Sequence, residues 1–153
     1  MRQHWVEGDF EVCVCEANGF LQTAEWCVKD LIGMPERMKY PFVVNISFAC
    51  ELFLKVIMIH ESGTSSFCKG HDLKELYYAL SPMTQEKIRE EYENKGIISL
   101  RGSSIDVFLD ACRNDFENWR YAFEKGGLEA NASEYLNFAH RLQEYVEKLK
   151  ETS

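Results

Sequence analysis

Apolar positions along the chain fall into a few long stretches of helical period. The most apolar runs from Pro41 to about His60 and is greasy around most of its circumference: Phe42, Val43, Val44, Ile46, Phe48, Ala49, Leu52, Phe53, Leu54, Val56, Ile57, Met58 and Ile59. A helix apolar on nearly every side belongs at the centre of a fold, with neighbours on several faces. Ser47, Glu51 and Lys55 leave one narrow polar line at i, i+4, i+8. Ahead of this rod, Asp9 is positioned to cap a first helix reaching about Ile32. Phe10, Cys13, Ala17, Phe20, Leu21, Ala24, Val28 and Leu31 form its face. Gly33 and Pro35 end it, and the short loop Met34–Lys39 predicts an antiparallel second helix.

After the rod, Glu61 to Ser66 is polar and reads as a loop. Asp72 then carries the marks of an N-cap, with Glu75 three residues on, and Leu73, Leu76, Tyr77 and Leu80 are expected to face inward. Ser81-Pro82 starts a charged surface helix to about Glu93, anchored by Met83, Ile88 and Tyr92 and stopped at Asn94-Lys95-Gly96. Ile97–Leu100 is an apolar connector. Ser103, with Asp106, begins a helix whose stripe is Ile105, Phe108, Leu109, Cys112, Phe116, Trp119 and Phe123, ending at Gly126-Gly127. Asn131 with Glu134 opens the last helix. Its face is Ala132, Tyr135, Leu136, Ala139, Leu142, Val146 and Leu149. The pattern predicts one all-α domain over residues 1–153, an antiparallel four-helix bundle with one or two additional short helices.

Composition narrows the function. At 153 residues with 46% apolar side chains the chain can build a proper core. Its formal charge of −8 makes it a poor unaided binder of nucleic acid. The six cysteines are scattered through apolar helical stretches and are expected to be free thiols in a reduced, cytoplasmic setting. Met1-Arg2-Gln3-His4-Trp5 lacks the apolar core of a signal peptide. Asn45, Glu51 and Lys55 argue against a membrane span in the 42–59 run. Cys68-Lys-Gly-His71 has no second ligand pair at convincing spacing, so neither zinc nor any cofactor is expected. Cys13-Val-Cys15 has the wrong spacing for a redox pair.

The charged residues of the rod have two readings. Glu51 and Lys55, in the favourable i, i+4 order, make an ordinary structural ion pair. Alternatively both are partly buried, with Asp72 or His71 serving Lys55 and an arginine from a later helix serving Glu51. Arg113–Glu117 and Arg120–Glu124 read as solvated i, i+4 pairs, although Arg120, beside Trp119, is placed to reach Glu51 with a bidentate fork.

Three segments together resemble the HEPN superfamily of small helical domains: Phe48-Ala-Cys-Glu51-Leu-Phe-Leu-Lys55, Lys69-Gly-His71-Asp72-Leu73-Lys-Glu-Leu76, and Phe116-Glu-Asn-Trp-Arg120-Tyr121. The resemblance implies an antiparallel four-helix bundle, often dimeric. It also implies nucleotide or RNA chemistry in toxin–antitoxin or phage-defence systems, sometimes beside a nucleotidyltransferase-type partner protein. Catalytic members resemble one another in an Arg-x(4–6)-His motif, whose histidine handles protons and whose arginine holds phosphate. No arginine here is followed by histidine at that spacing. The expectation is therefore a non-catalytic, homodimeric binding or regulatory module, with Glu51, Lys55, His71 and Arg120 as binding residues around one polar pocket. A buried network that holds the short helix accounts for the same four residues and is the favoured explanation of them. The rival functions are a ribonuclease with a divergent active site and a structural helical interaction protein. By helical phase, Trp5 and Trp26 are expected to be exposed and to accompany dimer formation.

Overall fold

A computed structural model describes residues 5–28, 36–63, 66–95, 104–115 and 132–152. These residues are mostly helical, and the core is formed between helices, in keeping with the all-α expectation. In chain order the elements are β1 (Trp5–Glu7), α1 (Phe10–Cys27), α2 (Glu36–Ser62), β2 (Ser66–Cys68), α3 (Leu73–Tyr78), α4 (Pro82–Lys95), α5 (Ile105–Cys112) and α6 (Ala132–Thr152).

The greasy rod is α2, and it is central. Every residue from Ala49 to Ile59 is buried, and α1, α3, α6 and β2 all pack against it. Arg37–Ser62 is long and apolar enough to cross a membrane, but 83% of its apolar window is covered by the rest of the molecule. The helix starts at Glu36, five residues before the expected Pro41. Proline removes one backbone donor, and near a helix start this costs a single intrahelical bond. Asn45 Nδ2 donates to the Pro41 carbonyl at 2.7 Å.

Asp9 caps α1 as expected, accepting from the Val12 amide at 2.9 Å. The helix closes at Cys27, earlier than the expected Ile32, because Val28 leaves helical geometry at φ −110°, ψ 23°. Residues 29–35, with the expected Gly33 and Pro35 break, lie outside the described residues. Ala17 and Ala24 are fully buried, and with no side chain beyond Cβ they let α1 lie close to α2. Phe10 meets His60, Cys13 meets the Leu52 carbonyl, and Phe20 meets Phe48. As the number rises along α1 it falls along α2, so the two helices are antiparallel.

The expected loop from Glu61 to Ser66 is corrected at both ends. Glu61 and Ser62 finish α2, while Ser66 begins β2, which pairs antiparallel with β1: Trp5 opposite Cys68, Val6 opposite Phe67, Glu7 opposite Ser66. Strands of three residues are too short to show alternation in sequence. Trp5 therefore sits in a strand, and its helical phase does not apply; its side chain lies outside the described ones.

Ser81 caps α4, with its hydroxyl accepting from the Thr84 amide at 3.3 Å. Of the anchors expected for α4, Ile88 and Tyr92 are buried but Met83 is 68% exposed. The buried line is Thr84, Ile88, Tyr92, so only the first anchor differs from the expectation, moving from Met83 to Thr84. Thr84 can take that place because its hydroxyl donates to Glu61 Oε2 at 2.6 Å. The next cap is Ser104, not Ser103: its side chain accepts from the Val107 amide at 3.2 Å. Ile105, Phe108, Leu109 and Cys112 are buried as expected, but α5 stops at Cys112. Its next carbonyl, of Arg113, accepts from the Leu73 amide at 2.9 Å. The Ile97–Leu100 connector, the rest of the expected stripe (Phe116, Trp119, Phe123) and the Gly126-Gly127 stop lie outside the described residues.

In α6, Tyr135, Phe138, Ala139, Leu142 and Val146 are buried. Phe138 was not among the expected face. Its ring meets Tyr92 and Phe108, and Tyr135 meets Phe42 and Phe108, so aromatic edges and faces join α2, α4, α5 and α6.

Candidate functional site

The polar line of the rod is buried with the rest of it. Ser47, Glu51 and Lys55 are 0, 2 and 7% exposed. A buried carboxylate and ammonium require partners. Lys55 Nζ donates to Glu51 Oε2 at 2.8 Å, and the second carboxylate oxygen, Oε1, lies 2.7 Å from His71 Nδ1. Lys55 Nζ also stands 5.2 Å from the centre of the Phe67 ring, where the negative face of the ring favours a cation.

Local chain geometry delivers these partners. β2 is held by β1, and the Cys68 amide donates to Met58 Sδ at 3.4 Å. Gly8 lets Phe67 in: a Cβ there would stand 2.6 Å from the ring. Gly70, at φ +133°, takes a conformation that L side chains rarely adopt, and the chain turns there between β2 and His71. Asp72 follows as the cap of α3, accepting from the amides of Lys74 at 3.0 Å and Glu75 at 3.2 Å. Leu73, Leu76, Tyr77 and Leu80 are all buried, as expected.

The expected partners are reassigned. His71 serves Glu51 rather than Lys55. Asp72 also does not serve Lys55: its Oδ2 accepts two bonds from Arg113, from Nε at 2.9 Å and from Nη2 at 2.7 Å. That fork holds the guanidinium pKa above its ordinary value. Arg113 ties α5 to the start of α3, and Glu117, its expected partner along its own helix, lies outside the described residues. Lys74 and Asp110, 2.5 Å apart, add a second tie. Glu51, Lys55 and His71 are thus brought together. Arg120, the fourth candidate, and the Arg120–Glu124 pair lie outside the described residues.

Sequence reasoning missed Arg113 because 41 residues separate it from Asp72, and no spacing rule reaches that far. It also missed the cluster of Glu61, Ser81 and Thr84, in which Glu61 takes the Ser81 amide at 3.0 Å and the Ser81 hydroxyl at 2.8 Å. The cap signal at Ser81 was visible, but its partner at the end of α2 was not. Asp115, 8% exposed, accepts from the Tyr135 hydroxyl. Burial first, and then neighbouring negative groups, pushes that phenol well above its ordinary pKa.

Cys13 borders the ionic cluster. Burial, and secondarily the charge of Glu16, raise its thiol to about 11, while Lys55 pulls the other way. It is a thiol at neutral pH and a weak nucleophile. Among the described residues no group of three or more His, Cys, Asp or Glu stands together as a metal site would require. A groove of about 380 Å³ between α4 and α6, with Ile88, Tyr145 and Leu149 on its walls, includes none of Glu51, Lys55 and His71. Chemically, the cluster is a lock with one open edge. Its carboxylate and ammonium are sealed, and the His71 side chain is 43% exposed.

Compared with protein families, curated proteins and solved structures, the chain matches none.

Proposed function

We propose that this chain is a non-catalytic HEPN-like binding or regulatory module, built as an antiparallel four-helix bundle with added short helices. It acts as a cytoplasmic homodimer, not as a membrane protein, and its ligand is a nucleotide, an RNA or a nucleotidyltransferase-type partner protein. One observation carries the reading. A half-exposed His71 is backed by the buried carboxylate of Glu51, so a ligand contacting the ring is coupled directly to the core. The central, covered rod with its internally paired charges is also what the resemblance requires. The missing Arg-x(4–6)-His motif separates this module from a ribonuclease.

Calorimetric titration with nucleotides and short RNAs tests it. Binding heat that His71→Ala removes, with no RNA cleavage, supports the module. RNA cleavage lost in a folded His71→Ala variant overturns it in favour of a ribonuclease. The second reading is a structural helical interaction protein, and the engagement of both Glu51 carboxylate oxygens inside the chain, by Lys55 and His71, favours it. Absence of both heat and thermal shift with every nucleotide and RNA decides for that reading.

A further inference from the structure

α4 and α6 part along a groove of about 380 Å³, a size within the range of small-molecule sites. Its floor is apolar. Ile88 lines it while only 1% exposed, and Tyr145 and Leu149 form the wall on α6. The Tyr145 hydroxyl lies 3.2 Å from the Thr84 hydroxyl, which fixes the ring from its far end. Because Glu51, Lys55 and His71 take no part in it, binding there is independent of the reading above.

Three cations and three carboxylates border the groove, and they are not equally committed. Glu144 turns back to Arg141, accepting from Nη2 at 3.0 Å, although Lys148 stands further along on the same helix. Glu91 is engaged as well. Lys87, Lys148 and Glu90 are exposed and make no ion pair among the described residues. Arg141 keeps spare capacity. Its side chain is 15% exposed, and of its several N–H donors only the one to Glu144 is bonded among the described residues. Its Nε is sealed from water without a partner, so the donor has lost its hydration and gained nothing in return.

We propose that this groove binds a small amphipathic monocarboxylate. The apolar body lies on Ile88, Tyr145 and Leu149. The carboxylate takes the spare donors of Arg141, with Lys87 on one wall and Lys148 on the other. A planar carboxylate matches the guanidinium fork. Charge sets both the sign and the number. The empty groove is neutral, with uncommitted groups that favour an anion: two lysines and an under-used arginine against Glu90. A second negative charge on the ligand would meet Glu90, Glu91 and Glu144 at close range. A cationic ligand would find only Glu90 uncommitted and would face Lys87, Lys148 and Arg141.

Decanoate, decyl alcohol and decyltrimethylammonium share one chain and differ in head charge. Each is titrated into the full chain below its micellar concentration while amide NMR shifts are followed. Decanoate should give saturable shifts centred on Ile88, Arg141, Tyr145 and Leu149, and should bind about tenfold more tightly than the other two. Arg141→Gln should weaken decanoate about tenfold. Lys148→Gln, at an exposed position that leaves the fold intact, should weaken it about threefold. Met83→Gln, on the exposed face of α4, should bind as wild type. Equal binding of the three probes overturns the proposal. So do shifts that never saturate or that spread over the whole chain, and decanoate binding that neither Arg141→Gln nor Lys148→Gln weakens.

Discussion

His71 Nδ1 lies 2.7 Å from Glu51 Oε1, bridging twenty residues of chain between the start of α3 and the middle of α2. The other oxygen of that carboxylate holds Lys55 at 2.8 Å, so one buried group joins a helix interior to a loop. The lock around Glu51 therefore affects both stability and whatever His71 touches.

Breaking the buried pair from one side should be costly. Lys55→Met leaves the buried Glu51 carboxylate to His71 alone, and Glu51→Gln takes the opposing charge from the buried Lys55 ammonium; either is expected to lose about 3 kcal/mol. The double variant Glu51→Leu/Lys55→Met should recover most of that loss, because no uncompensated charge remains. Urea midpoints of the three variants check this. If the double variant loses the sum of the single losses, the lock does not behave as one unit.

Asp72 does two jobs that substitutions can separate. Asp72→Ala removes the cap of α3, expected to cost about 1 kcal/mol, and also the anchor of Arg113. Asp72→Asn keeps the cap oxygen while weakening the arginine bonds, so its loss should be smaller. Arg113→Lys cannot reproduce the fork and should resemble Asp72→Asn in thermal midpoint, leaving α3 itself formed.

The Tyr78 hydroxyl, and after it Arg89, hold the Asp106 carboxyl below its ordinary pKa of 3.8. A pKa lower in the folded state means the folded protein resists protonation. Its contribution is therefore present above the unfolded value and lost as pH falls through the folded one. Wild type should lose more stability than Asp106→Asn between about pH 4 and pH 2. Parallel denaturation series at those pH values provide the comparison, and equal slopes would contradict the assignment.

Thiol labelling should separate the six cysteines by environment. Cys15 is exposed and should react first with a disulfide reagent. Cys13, raised to about 11, and Cys112, raised far above its ordinary value mainly by burial, should lag behind it in the native state. Denaturation should release all six. Fast native labelling of Cys112 would mean that α5 is not packed as described.

The phase of α4 gives a contrast within one helix. Met83→Lys, on the exposed face, should change stability by less than about 0.5 kcal/mol. Ile88→Ala, five residues on and 1% exposed, should cost about 2–4 kcal/mol. Similar losses at both positions would restore Met83 as an anchor.

What local sequence encodes was legible in the chain itself. The greasy circumference of 42–59 determined that α2 would be central, because such a surface is stable only when covered on all sides. Asp9, Asp72 and Ser81 marked their helix starts because a cap bonds amides two or three residues away. Glu51 and Lys55 were paired by their i, i+4 spacing for the same reason. Contacts between distant segments were decided only by the tertiary structure. It gave His71 to Glu51, Asp72 to Arg113 and Glu61 to Ser81, and it broke α5 at Arg113 by turning that carbonyl to the Leu73 amide. Each of these is a choice among several chemically equivalent partners. Helical spacing limits which residues can meet within one turn, but carboxylates and cations far apart in sequence are interchangeable until packing brings particular pairs within hydrogen-bond reach.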